Sequence, residues 1–75
     1  MTFAATEKRI EIVVNGEPKS AAEGQTILGL LRQLEVNPAR VAVELNRRIV
    51  KPAEWAATSL GPGAQLEIVQ FVGGG

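Results

Sequence analysis

Few side chains in this 75-residue chain can do chemistry. It contains no His, no Cys and no Tyr. Ser20 and Ser59 therefore have no imidazole to activate them, and a Ser-His-Asp triad is excluded. Thiolate and imidazole metal sites and a disulfide framework are excluded on the same count. Gly61-Pro62-Gly63 lacks the spacing of a phosphate-binding loop and precedes a strand pattern rather than a helix. Glu44, Glu54 and Glu67 remain as carboxylates for acid–base work, but they fall into no constellation, and unpaired carboxylates are ordinarily solvated surface groups. The side-chain inventory thus argues against an enzyme.

The end of the sequence is different. Gly73-Gly74-Gly75 has no side chain to obstruct a narrow channel, and glycine is the residue for close approach of a backbone to a ligand. Taken as the chain's own C-terminus, Gly75 presents a free carboxylate. The four residues from Val72 to Gly75 reach about 13 Å when extended, enough to carry that carboxylate from the surface of a domain into a partner's active site. A carboxylate is inert as an acyl donor until it is activated. Adenylation by ATP would make it electrophilic, and sulfur could then displace the adenylate to leave a thiocarboxylate. The ATP site would belong to the partner, because this chain has none. A glycine-rich end by itself is also compatible with simple flexibility.

The elements that would position such a tail can be read from periodicity. Ile10, Ile12 and Val14 alternate with Glu11 and Val13, the two-residue period of a half-buried strand. Asn15-Gly16 follows, a dipeptide suited to a type I′ hairpin turn. Glu17 to Ala22 returns as a second strand, with Pro18 confining it to an edge. Thr26 is placed to cap a helix, and Ile27, Leu30, Leu31 and Leu34 form one apolar face at i, i+3, i+4 and i+7. Gly29 lies inside that helix, where a close approach of the sheet would explain it. Asn37-Pro38 is read as the helix end. Val41, Val43 and Leu45 alternate as a third strand, Asn46-Arg47-Arg48 is a turn, and Ile49-Val50 is a short strand stopped by Pro52. Pro52 to Leu60 is expected to be irregular, with at most one helical turn and Trp55 or Leu60 pinning it to the core. After Gly61-Pro62-Gly63 a last strand runs from Gln65 to Val72. A hairpin, a helical crossover and three further strands predict an α+β domain, a mixed sheet of four to five strands with one main helix packed across it.

The last strand bears on the tail directly. Leu66 and Ile68 share a face assigned to the core; Glu67, Val69 and Phe71 share the other, which leads straight to the glycines. Apolar residues on an outer face beside a mobile end suggest a docking surface. Ala42 and Glu44, out of phase with the core residues of the third strand, would widen it, and Val72 would extend it toward the tail. The competing reading has Phe71 tucked under the Pro52–Leu60 segment.

Composition narrows the partners. The 8 basic and 8 acidic residues balance, so there is no electrostatic footprint for nucleic acid; the small Arg47-Arg48-Lys51 cluster reads as solvated surface. No apolar run approaches the roughly 20 residues of a membrane-spanning helix, and Met1 to Arg9 lacks the order of a signal peptide, which places the expected location in the cytoplasm. Residues 1–8 read as a flexible N-terminal extension, 9–72 as the domain and 73–75 as the flexible glycine tail.

Several of these stretches taken together resemble the ThiS family, the sulfur carriers of thiamin biosynthesis. They are Ile12-Val13-Val14-Asn15-Gly16, Thr26-Ile27 with Leu30-Leu31, Val41-Ala42-Val43-Glu44-Leu45-Asn46, and above all Leu66-Glu67-Ile68-Val69-Gln70-Phe71-Val72-Gly73-Gly74-Gly75. The resemblance runs from about Arg9 to Gly75. It implies a ubiquitin-like β-grasp fold, with Gly74 and Gly75 as the family's terminal pair and Gly75 as the sulfur-bearing residue. It further implies three partners: a ubiquitin-activating-like adenylyltransferase that uses ATP, a cysteine desulfurase that provides the sulfur, and thiazole synthase as the acceptor. No cofactor bound to the carrier is implied. The N-terminal extension and the third glycine, Gly73, depart from the pattern. Two alternatives share the fold: a carrier for molybdopterin or another sulfur-containing product, and a ubiquitin-like modifier that forms an amide bond through Gly75.

Overall fold

The structure is a computed structural model that describes residues 8–71. Val72 and the glycine tail 73–75, and all of the N-terminal extension but Lys8, lie outside the described residues. Five strands form one mixed sheet in the order β2-β1-β5-β3-β4. They are β1 (Arg9–Val14), β2 (Glu17–Ala22), β3 (Val41–Leu45), β4 (Arg48–Val50) and β5 (Gln65–Gln70). One helix, α1 (Ile27–Gln33), packs across one face. This is the β-grasp arrangement: the final strand sits at the centre of the sheet, parallel to β1 and antiparallel to β3.

The local sequence dictates most of this. Asn15 and Gly16 have φ of 51° and 84°, the left-handed pair that a type I′ turn requires to match the twist of its strands. β2 is the sheet edge, where Pro18 removes no central ladder bond. Thr26 caps α1, its hydroxyl accepting from the Gly29 N–H at 3.0 Å. Ile27, Leu30 and Leu31 are fully buried and pack against Ile12, Val14, Val43, Leu66, Trp55 and Leu60. No polar or charged side chain is buried among the described residues, so the core stabilises the domain through apolar burial.

Three expectations need correction. The helix ends before Asn37. Glu35 takes the left-handed position with φ of 61°, and the Val36 N–H donates back to the Leu31 carbonyl at 3.2 Å, the six-to-one bond of a Schellman cap. Val36 then packs against the core, which is what draws the chain into that turn. Asn37 instead accepts from the Ala39 N–H at 2.9 Å and caps a short 3-10 turn, Pro38–Arg40. The second correction concerns Gly29: a Cβ there would meet the Gln25 and Thr26 side chains at 3.3 and 3.4 Å, not the sheet. The crowding comes from the helix's own N-terminal cap. Third, Pro52–Ala57 is a six-residue 3-10 helix rather than a single turn. Trp55 and Leu60 are both buried, and the indole N–H of Trp55 donates to the Val50 carbonyl at 2.8 Å, so this segment is pinned at two points.

Candidate functional site

β5 is the strand that precedes residues 72–75, so its surroundings fix the last described part of the chain. Its register against β3 pairs Leu45 with Leu66, Val43 with Ile68 and Val41 with Gln70; between them Glu44 faces Glu67 and Ala42 faces Val69. Successive side chains of a strand alternate between faces. Leu66 is buried against α1 and Ile68 half-buried there, while Val69 and Phe71 remain 58% and 54% exposed on the opposite face. Phe71 is thus not tucked under the Pro52–Ala57 segment, although its ring borders a shallow groove of about 320 Å³ with Pro38, Ala39, Ile49 and Pro52.

Ala42 is half-buried and Glu44 exposed. They accompany Val69 on the outer face through their pairing with β5. Sequence reasoning missed a further member, Ile49, the most exposed large apolar residue of the described chain at 77%. It pairs with Glu44 across β3 and β4. The signal was there in the Asn46-Arg47 dipeptide. Both residues take positive φ, 52° and 71°, so the turn has two residues and fixes Leu45 opposite Arg48. Glu67 shares this face with Val69 and Phe71, as alternation along the last strand predicts. It stands directly across from Glu44, a like-charge arrangement that disfavours the isolated sheet by a few tenths to about 1 kcal/mol. Val72, Gly73, Gly74 and Gly75 lie outside the described residues.

The turn asparagines do more than turn. The Asn15 Oδ1 accepts from the Ile68 N–H at 2.7 Å and its Nδ2 donates to the Ile68 carbonyl at 3.2 Å. Its own N–H donates to the Leu66 carbonyl at 2.8 Å. The side-chain amide thereby continues the parallel β1–β5 ladder where β1 itself has turned away. On the other flank Asn46 repeats the device: its N–H donates to the Gln65 carbonyl at 2.7 Å and its Oδ1 accepts from the Gln65 N–H at 3.0 Å. The last described anchor is the Phe71 N–H, which donates to the Arg40 carbonyl at 2.7 Å. β5 is therefore held on both sides, and the chain passes from a fixed point at Phe71 into its last four residues.

Asn15→Gly tests this clamp without straining the turn, because glycine accepts the positive φ. Loss of the two side-chain bonds is expected to lower stability by about 1–3 kcal/mol. Amide hydrogen exchange at Ile68 should accelerate in step. An unchanged exchange rate at Ile68 would show that the amide does not hold the strand.

Among the described residues no group of three His, Cys, Asp or Glu side chains could hold a metal ion, and no helix is long and apolar enough to cross a membrane.

A model of the ThiS family matches residues 8–75. The sulfur carrier protein ThiS of Escherichia coli (strain K12) is 33% identical over 66 residues, covering 88% of this chain and 100% of that protein. The thiazole synthase of Magnetococcus marinus is 42% identical over 66 residues, but these make up only 20% of that protein, so the chain spans one fifth of its length. The same share holds for the thiazole synthase of Paramagnetospirillum magneticum, at 39% identity. Among solved structures, the thiamine biosynthesis protein ThiS from Geobacter metallireducens superposes with a TM-score of 0.77 at 33% identity, over 88% of this chain and 100% of that one. A ubiquitin-like domain at 11% identity and a TM-score of 0.56 shares the fold alone.

Proposed function

The chain belongs to the ThiS family, and on that premise we propose that it is a sulfur carrier of thiamin biosynthesis whose working group is the Gly75 carboxylate. In the first step a carboxylate oxygen attacks the α-phosphorus of ATP, held by an adenylating partner, and pyrophosphate leaves. The persulfide that a desulfurase forms from cysteine then adds through its outer sulfur to the acyl carbon, and AMP leaves; a thiol reductant cleaves the S–S bond of the resulting acyl disulfide and leaves the thiocarboxylate on Gly75. The resulting thiocarboxylate would donate its sulfur to a thiazole synthase. Gly73 and Gly74 would let the chain thread the partner's channel, since neither carries a side chain. The carrier binds no cofactor in this scheme, and ATP is a substrate of the partner.

The observation that carries this reading is the arrangement around β5. The strand is clamped on both flanks, yet its outer side chains, Val69 and Phe71, are exposed next to the chain exit. A rigid strand with an apolar outer face gives a partner a firm grip immediately beside the group to be modified. Ala42 and Glu44 would take part in the same contact.

The test is the intact mass of the protein after incubation with its cognate adenylating enzyme, ATP, a cysteine desulfurase, cysteine and a thiol reductant. The expected result is replacement of one oxygen by sulfur, mapped to Gly75 and abolished when Gly75 is removed. The chain contains no Cys, so no thiol can take up sulfur as a persulfide and confuse the assignment. An unchanged mass with an enzyme set shown to be active on another carrier would overturn the proposal.

A further inference from the structure

Alternation along β5 leaves one main-chain pair open. The bonds at Gln65 and Phe71 direct odd-numbered residues toward β3, and those at Leu66 and Ile68 direct even-numbered ones toward β1. The N–H and C=O of Gln70 therefore face the β1 flank. β1 pairs with β5 only as far as Val14 and Leu66; the hairpin then turns away, and the Asn15 amide reaches no further than Ile68. Neither main-chain group of Gln70 has a partner among the described residues.

Beside this open edge is a notch of about 380 Å³ on the helix side of the sheet. Val14, Leu34, Val36, Val41 and Ile68 provide apolar walls, and Glu17 and Lys19 are among the polar residues that line it. A free strand edge is a template for another strand, and recognition by strand addition combines main-chain bonds with a pocket for alternate side chains. Both parts are present here, one residue before Phe71.

We propose that this notch receives an extended segment of the adenylating partner, which takes up the line that β1 abandons at Asn15. Its backbone pairs with the N–H and C=O of Gln70, and one apolar side chain enters between Leu34, Val36 and Ile68. The segment would fix the root of the tail from the flank opposite β3, leaving the Val69–Phe71 face free for a separate contact. The inference rests on the carrier reading for the identity of the partner.

Gln70→Pro is the informative variant. It deletes an N–H that has no partner among the described residues, puts a ring into the notch, and holds Val69 in the extended conformation it already has. Gln70→Ala removes the side chain and keeps the pairing groups. In the complex of the full chain with its cognate adenylating enzyme, exchange of the Gln70 amide is expected to slow by about tenfold or more, and Gln70→Pro to weaken association by about tenfold, while Gln70→Ala stays within about threefold. A Gln70 amide that exchanges as fast in the complex as in the free protein overturns the proposal. So does protection that appears in the carrier alone as its concentration is raised, which would assign the notch to a second copy. Sulfur loading of the wild-type chain, read by intact mass, is scored separately: its absence removes the carrier reading, whereas normal loading with an unprotected Gln70 removes only the strand-addition model.

Discussion

Replacing Val69 and Phe71 together by Ala is expected to weaken association with the adenylating partner by about 100-fold or more and to leave the fold intact. The few residues that anchor the centre of an interface cost about 2 kcal/mol or more when truncated, and Phe71 with Val69 beside it is the largest apolar pair next to the tail. The free protein loses little, because both side chains are more than half exposed and such surface changes usually stay within about 0.5 kcal/mol. The backbone that carries them is held independently, by the Ala42–Val69 pairing and by the Phe71 N–H bond to Arg40. Titration calorimetry for association and thermal melting for stability separate the two effects. Ile49→Ala extends the test across the sheet, since Ile49 reaches the same face from β4 and touches none of the β5 ladder. Tight binding by the double variant would mean that the partner grips the tail alone, and the docking role of this face would be lost.

How much of this was legible in the sequence differs by residue. The Val69 and Phe71 face followed from alternation in the last strand, because a two-residue period in a half-buried strand leaves little freedom about which residues turn outward. The Asn15-Gly16 hairpin and the Thr26 cap were legible for a similar reason: each is a local device whose partners lie within three residues. The clamp on β5 was not. Asn15 and Ile68 are 53 positions apart, and nothing in either neighbourhood names the other. An asparagine needed for its positive φ looks the same whether or not its amide has a long-range partner. The helix end was misplaced by the opposite error. Asn37-Pro38 is a strong local stop signal, but the burial of Val36 was already enough to draw Glu35 into the left-handed position two residues earlier. Local preference decided the hairpins, and core packing decided the helix end. The open edge at Gln70 belongs with the clamp, since it becomes visible only when the length of β1 is compared with that of its parallel neighbour.

Leu66→Ala should give the complementary result, a large loss of stability with the docking surface unchanged in composition. Leu66 is 1% exposed at the centre of the sheet, between Val14 of β1 and Leu45 of β3, and beneath the buried face of α1. Truncating a buried Leu to Ala costs about 2–5 kcal/mol, the transfer term plus the cavity it leaves. A domain of this size has only about 4–11 kcal/mol to lose, at about 0.05–0.15 kcal/mol per residue. The melting temperature should therefore fall by roughly 8–40 °C, taking about 4–8 °C per kcal/mol for a small domain. At temperatures where the variant remains folded, its affinity for the adenylating partner should match the wild type, because Val69 and Phe71 stand on the other face. Leu66 and Val69 lie three positions apart on one strand, and that short distance makes the comparison strict. If Leu66→Ala weakened association as much as the outer-face variant while folded, the two faces of β5 would not be independent. Its rigidity, rather than its apolar side chains, would then be what the partner requires.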